Sequence, residues 1–198
     1  MKQDTLLEFA AKKGFISTQD ALTLGISRRY LYKLAQKGVL HKTAKGLFST
    51  VPENSVSEFF STIEICRRIP HCVVSLLTAL SIHEISTQLP NAIWLTIPTG
   101  MWKPTIVYPP VNFTFCSAQY FNVGIEIKTI NNNEIKVTTI ARTVADCFKF
   151  RRKVGLDVAI EALKEVIEHK RVSLDELVIA AKHARVQKIV QPYIEALV

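Results

Sequence analysis

Three features of the sequence predict an α+β protein. The first fifty residues show helical periods followed by two short extended segments. Residues 92–139 then contain several apolar or alternating runs typical of strands, and residues 141–197 return to helical periods. We therefore predict an N-terminal winged helix-turn-helix and a mixed α/β C-terminal domain with a small sheet and a helical C-terminal end.

The first element is a group of three short helices before residue 38. Gly14 and Gly38 are expected to end the first and third helices. Ser17 or Thr18 is positioned to cap the second helix, and Ser27 the third. The predicted helices are 5–13, 19–24 and 28–37.

The link between the second and third helices has the spacing of a helix-turn-helix. Ala21 is small enough for the next helix to cross close above it, and Gly25 permits a left-handed backbone in the tight turn. Asp20 departs from the pattern, since an apolar residue is expected near that position. The six residues that carry the spacing are Ala21, Leu24, Gly25, Ile26, Leu31 and Leu34.

Two short extended segments follow the third helix. Residues 39–42 and 47–50 are predicted strands, and residues 43–46 form the turn between them. This hairpin would be the wing of a winged helix. Lys42 and Lys45 lie at its tip, where they could contact phosphates or the minor groove.

The positive charge of the chain is concentrated at its amino-terminal end. Of the net charge of +8, residues 1–50 supply nine basic and three acidic side chains. This asymmetry points to double-stranded DNA as the partner, with the third helix in the major groove. Arginine can recognise guanine and glutamine adenine, whereas lysines mainly hold phosphates. The expected DNA contacts are Ser27, Arg28, Arg29, Tyr32, Lys33, Gln36, Lys37, Lys42 and Lys45. The alternative is a solvated basic face that binds protein.

A polar segment with a proline, residues 51–55, predicts the domain boundary. We expect a DNA-binding domain at residues 1–51 and an α+β domain at residues 54–198. In the second domain an Asn-rich turn at 131–133 predicts a hairpin, and Ser75 and Ser173 are candidate helix caps. The predicted helices there are 56–69, 76–85, 141–150, 156–169, 174–184 and 187–197, and the strands 92–98, 111–116, 125–130 and 134–139.

Catalytic, metal and membrane signatures are weak. Glu126 and Lys128 have the spacing of a nuclease pair on a strand, but the neighbouring predicted strands offer no acid to complete it. The four cysteines form no C-x-x-C pair, so we expect no metal and no cofactor. With no apolar run of transmembrane length and no signal-like start, we expect a cytoplasmic protein without enzymatic activity. No coiled-coil heptad is present, and the sequence favours neither a monomer nor a dimer.

Several strings, taken in order, resemble the AbiEi-type antitoxin family. The first comprises Gly14-Phe-Ile-Ser-Thr-Gln-Asp-Ala, Gly25-Ile-Ser-Arg and Tyr32-Lys-Leu-Ala-Gln-Lys-Gly-Val-Leu. The second is Val74-Ser-Leu-Leu-Thr-Ala-Leu-Ser-Ile-His, followed by Ile93-Trp-Leu-Thr-Ile-Pro. The third is Thr138-Thr-Ile-Ala-Arg-Thr-Val-Ala-Asp, an S/T-x-x-x-R-T-x-x-D element. The likeness extends over nearly the whole chain.

The resemblance implies a repressor of its own operon that also counteracts a nucleotidyltransferase toxin, as a type IV antitoxin that need not bind the toxin directly. It assigns the antitoxin function to the C-terminal domain. The positions carried over are Ser75, His83, Arg142, Thr143 and Asp146. An ordinary ion pair between Arg142 and Asp146, four residues apart on a helix, is an equal alternative, and a structural role for His83 is favoured. The alternative function is a stand-alone regulator whose C-terminal domain senses a ligand or dimerises.

Overall fold

The computed structural model describes residues 2–50, 59–85 and 90–198. The chain has a mixed α+β fold that divides into two compact units. The first contains Met1–Pro70 with Lys128–Ile135, and the second contains His71–Ile127 with Lys136–Val198. The predicted boundary segment, residues 51–55, lies outside the described residues. None of the described helices is long and apolar enough to span a membrane.

In the first unit, helices alternate with short strands. In chain order the elements are α1 Lys2–Lys13, β1 Phe15–Ser17, α2 Thr18–Thr23, α3 Arg28–Gln36, β2 His41–Ala44, β3 Leu47–Ser49 and α4 Phe60–Arg68. The three strands form an antiparallel sheet in the order β1-β3-β2. The three predicted helices and the hairpin are confirmed. Strand β1 was not predicted, because three residues are too few to show an alternating pattern.

A compact apolar core holds the first unit together. Leu6 and Ala10 of α1 and Phe48 of β3 are fully buried, together with Ala21 and Leu31 of the two following helices. Leu6 and Ala10, four residues apart, lie on one face of α1, and burial of such a face stabilises a short helix.

Helix α4 also packs in the first unit. The ring of Phe60 lies 4.3 Å from that of Phe15, measured between centroids. The sequence grouped residues 56–69 with the second domain, and the structure instead places Phe60–Arg68 with the first unit. The Phe60–Phe15 contact and the ion pair between Arg67 and Asp20 are long-range contacts that local periodicity does not show.

The remaining elements form a sheet with helices. They are β4 Val73–Val74, α5 Leu76–Ile82, β5 Ile93–Pro98, β6 Val111–Cys116, α6 Ala118–Phe121, β7 Ile125–Ile130, β8 Asn133–Thr138, α7 Ile140–Lys149, α8 Arg151–Val154, α9 Leu156–Glu168, α10 Leu174–Ala184 and α11 Gln187–Leu197. The strand order is β6-β5-β4-β8-β7, with parallel β5–β6 and β4–β8 pairs and an antiparallel β4–β5 pair. The predicted strands and the four C-terminal helices are confirmed, with their ends shifted by at most one or two residues.

Local residue choices explain the ends of these elements. Asn131 and Asn132 have φ of +49° and +58°, as a two-residue hairpin turn requires. Ser173 and Glu176 form a reciprocal capping box at the start of α10. Pro192 lies inside α11 without ending it. Ser75 precedes α5 but makes no capping hydrogen bond, and its hydroxyl instead accepts a bond from Thr96 at 2.8 Å.

Candidate nucleic-acid interface

The turn between α2 and α3 depends on one glycine. Gly25 has φ of +69°, and a Cβ placed there would meet no heavy atom within 4 Å. The requirement for glycine is therefore conformational and not steric. The amide of Ile26 donates to the carbonyl of Ala21 at 2.8 Å, which closes the turn, and both side chains are buried. This tight turn sets the direction in which α3 leaves the core.

Asp20, the residue that departed from the sequence pattern, completes the capping box of α2, whose N-cap is Ser17. Its carboxylate accepts hydrogen bonds from the Ser17 amide at 2.8 Å and hydroxyl at 2.7 Å, while its own amide donates to the Ser17 hydroxyl. Arg67 of α4 also pairs with it at 3.2 Å. Burial alone would raise the pKa of Asp20, but the Ser17 bonds and the charges of Arg67 and Lys13 outweigh it, so the pKa is lowered. The polar residue thus fixes the start of the helix-turn-helix-like region.

Replacing Asp20 with asparagine is expected to lower the free energy of unfolding of the first unit by about 1 kcal/mol at pH 7. Because the folded-state pKa is depressed, the contribution is present above the unfolded pKa and is lost as pH falls through the folded value. Hydrogen exchange of the α2 and α3 amides at neutral and acidic pH would measure the difference. Glu8→Gln is the matched control, since Glu8 is exposed and has no described side-chain partner. Equal effects of the two changes at pH 7 would contradict the capping role.

The outward face of α3 is basic and polar. Leu31 and Leu34 are buried, whereas the arginines, Tyr32, Lys33 and Gln36 are exposed to the solvent. Ser27 caps the helix, its hydroxyl accepting a hydrogen bond from the Tyr30 amide at 3.3 Å. A shallow groove of about 680 Å³ runs along this face, lined by Ser27, Arg29, Tyr30, Tyr32, Lys33 and Gln36. Since α3 contains no acidic residue, the groove is suited to a polyanion.

The structure leaves all nine predicted contact residues exposed. Five of them line the groove, and Arg28 and Lys37 lie at the two ends of α3 beside it. Tyr30 lines the groove but was missed from the sequence. Its spacing of three from Lys33 places it on the same side of the helix, and that spacing is the signal that could have identified it.

The β2–β3 hairpin is attached to α3 through Tyr32. The Lys42 ammonium lies 5.4 Å from the centre of the Tyr32 ring, and the edge of that ring meets Phe48 at 5.2 Å between centroids. Lys45 is exposed at the hairpin turn, beside Gly46, whose carbonyl accepts a hydrogen bond from the Thr18 amide at 2.8 Å. Tyr32 and Lys42 therefore position α3 and the hairpin together, and Lys45 remains available to a partner.

In the second unit, the positions carried over by resemblance form a buried polar cluster. The five side chains Ser75, His83, Arg142, Thr143 and Asp146 have exposures between 0% and 2%. Strand β4, helix α5 and helix α7 position them. Because none reaches the solvent, their contacts lie within the fold.

The charged pair in this cluster is linked to a tyrosine. Arg142 Nε donates to Asp146 Oδ2 at 3.3 Å, and the Tyr120 hydroxyl donates to Asp146 Oδ1 at 2.9 Å. Arg142 Nη1 also donates to the carbonyls of Phe121 and Val123, at the end of α6. Burial raises the pKa of Asp146 despite the nearby guanidinium, and burial beside Asp146 raises the pKa of Tyr120. The arrangement joins α6 to α7.

His83 and Thr143 of the cluster bond to buried backbone carbonyls. His83 Nε2 lies 2.7 Å from the Thr138 carbonyl, and the Thr143 hydroxyl donates to the Thr139 carbonyl at 2.8 Å. The hydroxyls of Thr143 and Thr138 are 2.7 Å apart. These bonds hold the end of β8 against the start of α7.

The exposed basic helix after a glycine turn, beside a three-stranded sheet, defines the first unit as a helix-turn-helix-like region. Residues 4–51 match the family model described as "Transcriptional regulator, AbiEi antitoxin", in agreement with the resemblance in the sequence. The fold is similar to the crystal structure of the RV2827C protein from Mycobacterium tuberculosis, with a TM-score of 0.60 and 10% identity, covering 98% of this chain and 80% of that one. No curated protein matches the chain.

Proposed function

We propose that this protein is a DNA-binding antitoxin of the AbiEi type that represses its own operon. The first unit is then a winged helix, with α3 in the major groove and the β2–β3 hairpin as the wing. The observation that carries the proposal is the exposed face of α3, which is basic, free of acidic residues and oriented by a buried apolar side. The family match over the same residues supports it.

The groove geometry supports a division of roles along α3. Arg29 and Gln36 lie on the groove, where side chains of their type can pair with guanine and adenine edges. Lys33 and Lys37, with Lys45 on the hairpin, hold phosphates and fix the register of the protein on DNA. Tyr32 acts chiefly by positioning the hairpin.

The second unit is proposed to counteract a nucleotidyltransferase toxin encoded beside this gene. Since Ser75, His83, Arg142, Thr143 and Asp146 are buried, they serve that function by maintaining the fold and not by touching a partner. The described residues offer no cluster of three or more histidine, cysteine or acidic side chains able to hold a metal ion. We propose no catalytic role for this unit.

Co-expression tests the antitoxin role. Growth arrested by the neighbouring gene is expected to resume when the full chain is supplied. The variant Arg28→Ala/Arg29→Ala, expressed from an unrelated promoter, is expected to restore growth equally, because the changes lie in the first unit. Failure of the unchanged chain to restore growth, at protein levels verified in the same cells, would contradict the antitoxin role while leaving DNA binding untouched.

A further inference from the structure

A second basic groove lies entirely within the second unit. It has a volume of about 790 Å³, within the range of small-molecule sites. Its walls come from the end of β6, the α7–α8 junction and the carboxyl end of α10. The cations that line it are Lys149, Arg151, Lys182 and Arg185. Among the described residues, none that lines the groove is acidic. Four cations in a concavity whose described lining contains no acidic residue create a strongly positive potential.

Two of these cations form no polar side-chain contact with the described residues of the fold. The side chains of Lys182 and Arg185 are exposed, and neither makes a hydrogen bond or ion pair with another described residue. By contrast, Arg151 donates to the Phe148 carbonyl at 2.9 Å, and the Lys149 ammonium lies 4.4 Å from the centre of the Tyr120 ring. The groove thus combines two cations held in place with two that are free to meet a ligand.

The backbone at Arg185 is unusual for this residue. Arg185 ends α10 with φ of +62° and ψ of +36°, a left-handed conformation that glycine or asparagine adopts more easily. An arginine there carries a conformational cost, and the residue lines the groove.

An aromatic surface accompanies the charges. Phe115 lines the groove and keeps 42% of its surface exposed, although it lies on a strand. Exposed aromatic rings beside cations are suited to stacking on a nucleobase, while guanidinium groups pair with phosphate oxygens. Asp146, the carboxylate that interacts with Lys149, is buried and already paired with Arg142, so its charge is largely balanced within the fold.

We propose that this groove binds the phosphate chain of a small polyphosphate ligand, either a nucleoside triphosphate or inorganic triphosphate. Lys182 and Arg185 contact the phosphates, and Phe115 offers a stacking surface where the ligand carries a base. The site is separate from the α3 face and does not depend on the function proposed above.

Calorimetric titration of the full chain with ATP and with inorganic triphosphate, in magnesium-free buffer, tests this site. Arg185→Asn removes the charge, and asparagine adopts the left-handed backbone easily. This variant is expected to weaken the binding of both ligands about tenfold. Lys170→Asn is the matched control, because Lys170 is also exposed and left-handed (φ +50°) but does not line the groove. Lys182→Gln is expected to weaken binding like Arg185→Asn.

The two ligands distinguish the source of the phosphate chain. Tighter binding of ATP than of triphosphate, reduced by Phe115→Ala, would identify a nucleotide site. Equal binding, insensitive to Phe115→Ala, would identify a site for the phosphate chain alone. Either result supports the groove. The absence of saturable binding would overturn the proposal. So would an equal loss of affinity in Lys170→Asn, or a loss of affinity in Lys33→Gln on α3 and not in the groove variants.

Discussion

Replacing Arg142 with methionine is expected to lower the free energy of unfolding of the second unit by about 3–5 kcal/mol. The guanidinium is 2% exposed and is the ion-pair partner of a carboxylate that is equally buried. Its removal leaves Asp146 without its counter-charge and takes the donor from the carbonyls of Phe121 and Val123. The hydrophobic stem retained by methionine recovers little of this loss, because an uncompensated buried charge dominates.

Urea unfolding followed by tryptophan fluorescence measures this effect directly. Both tryptophans, Trp94 and Trp102, belong to the second unit, and Trp94 is buried in its core. Arg152→Met is the matched control, since Arg152 is exposed and without a described side-chain partner. The double variant Arg142→Met/Asp146→Asn is expected to recover part of the loss, because both charges are then gone. A loss no larger than that of Arg152→Met would show that the pair does not hold this unit together.

Replacing Arg29 with alanine is expected to weaken binding to the specific DNA site by about 1–3 kcal/mol, with little effect on unrelated DNA. The reason is that Arg29 lines the groove on α3, where two parallel hydrogen bonds to a guanine carry sequence information. The change is exposed and removes no described contact, so the stability of the first unit should not fall.

Lys45→Gln is the matched control for that experiment. Lys45 lies at the hairpin turn, so its replacement is expected to weaken binding to all DNA sequences alike. It is also expected to reduce the slope of log affinity against log salt by about 1. Fluorescence anisotropy with a labelled duplex at several salt concentrations separates the two effects. If Arg29→Ala reduced specific and unrelated binding equally, Arg29 would be a phosphate contact and not a base contact.

Local signals in the sequence predicted the parts of the fold that local geometry determines. Gly25 indicated a left-handed position and has positive φ in the structure, and Gly38 indicated the end of α3, which lies directly before it. The Asn131–Asn132 turn predicted the hairpin for the same reason. Ser27 and Ser173 were expected to cap helices and do so. These features depend on residues within four positions of one another.

Features that depend on distant residues could not be predicted in this way. Strand β1 exists because Phe15 and Ile16 pair with β3, more than thirty residues away. Asp20 departs from the apolar pattern of the local sequence, and its role depends on Ser17 nearby and on Arg67 of the distant helix α4. The basic groove in the second unit gathers cations from three separate helices, and no motif in the sequence marks it.

Sequence-specific DNA binding by the first unit can be measured with two duplexes. The affinity of the full chain is measured for the DNA immediately upstream of its own gene and for a scrambled duplex of equal length and composition, at physiological salt. We expect the upstream DNA to bind at least about a thousandfold more tightly, and Arg29→Ala to remove much of the difference. Equal affinity for the two duplexes, or no binding to either, would contradict it.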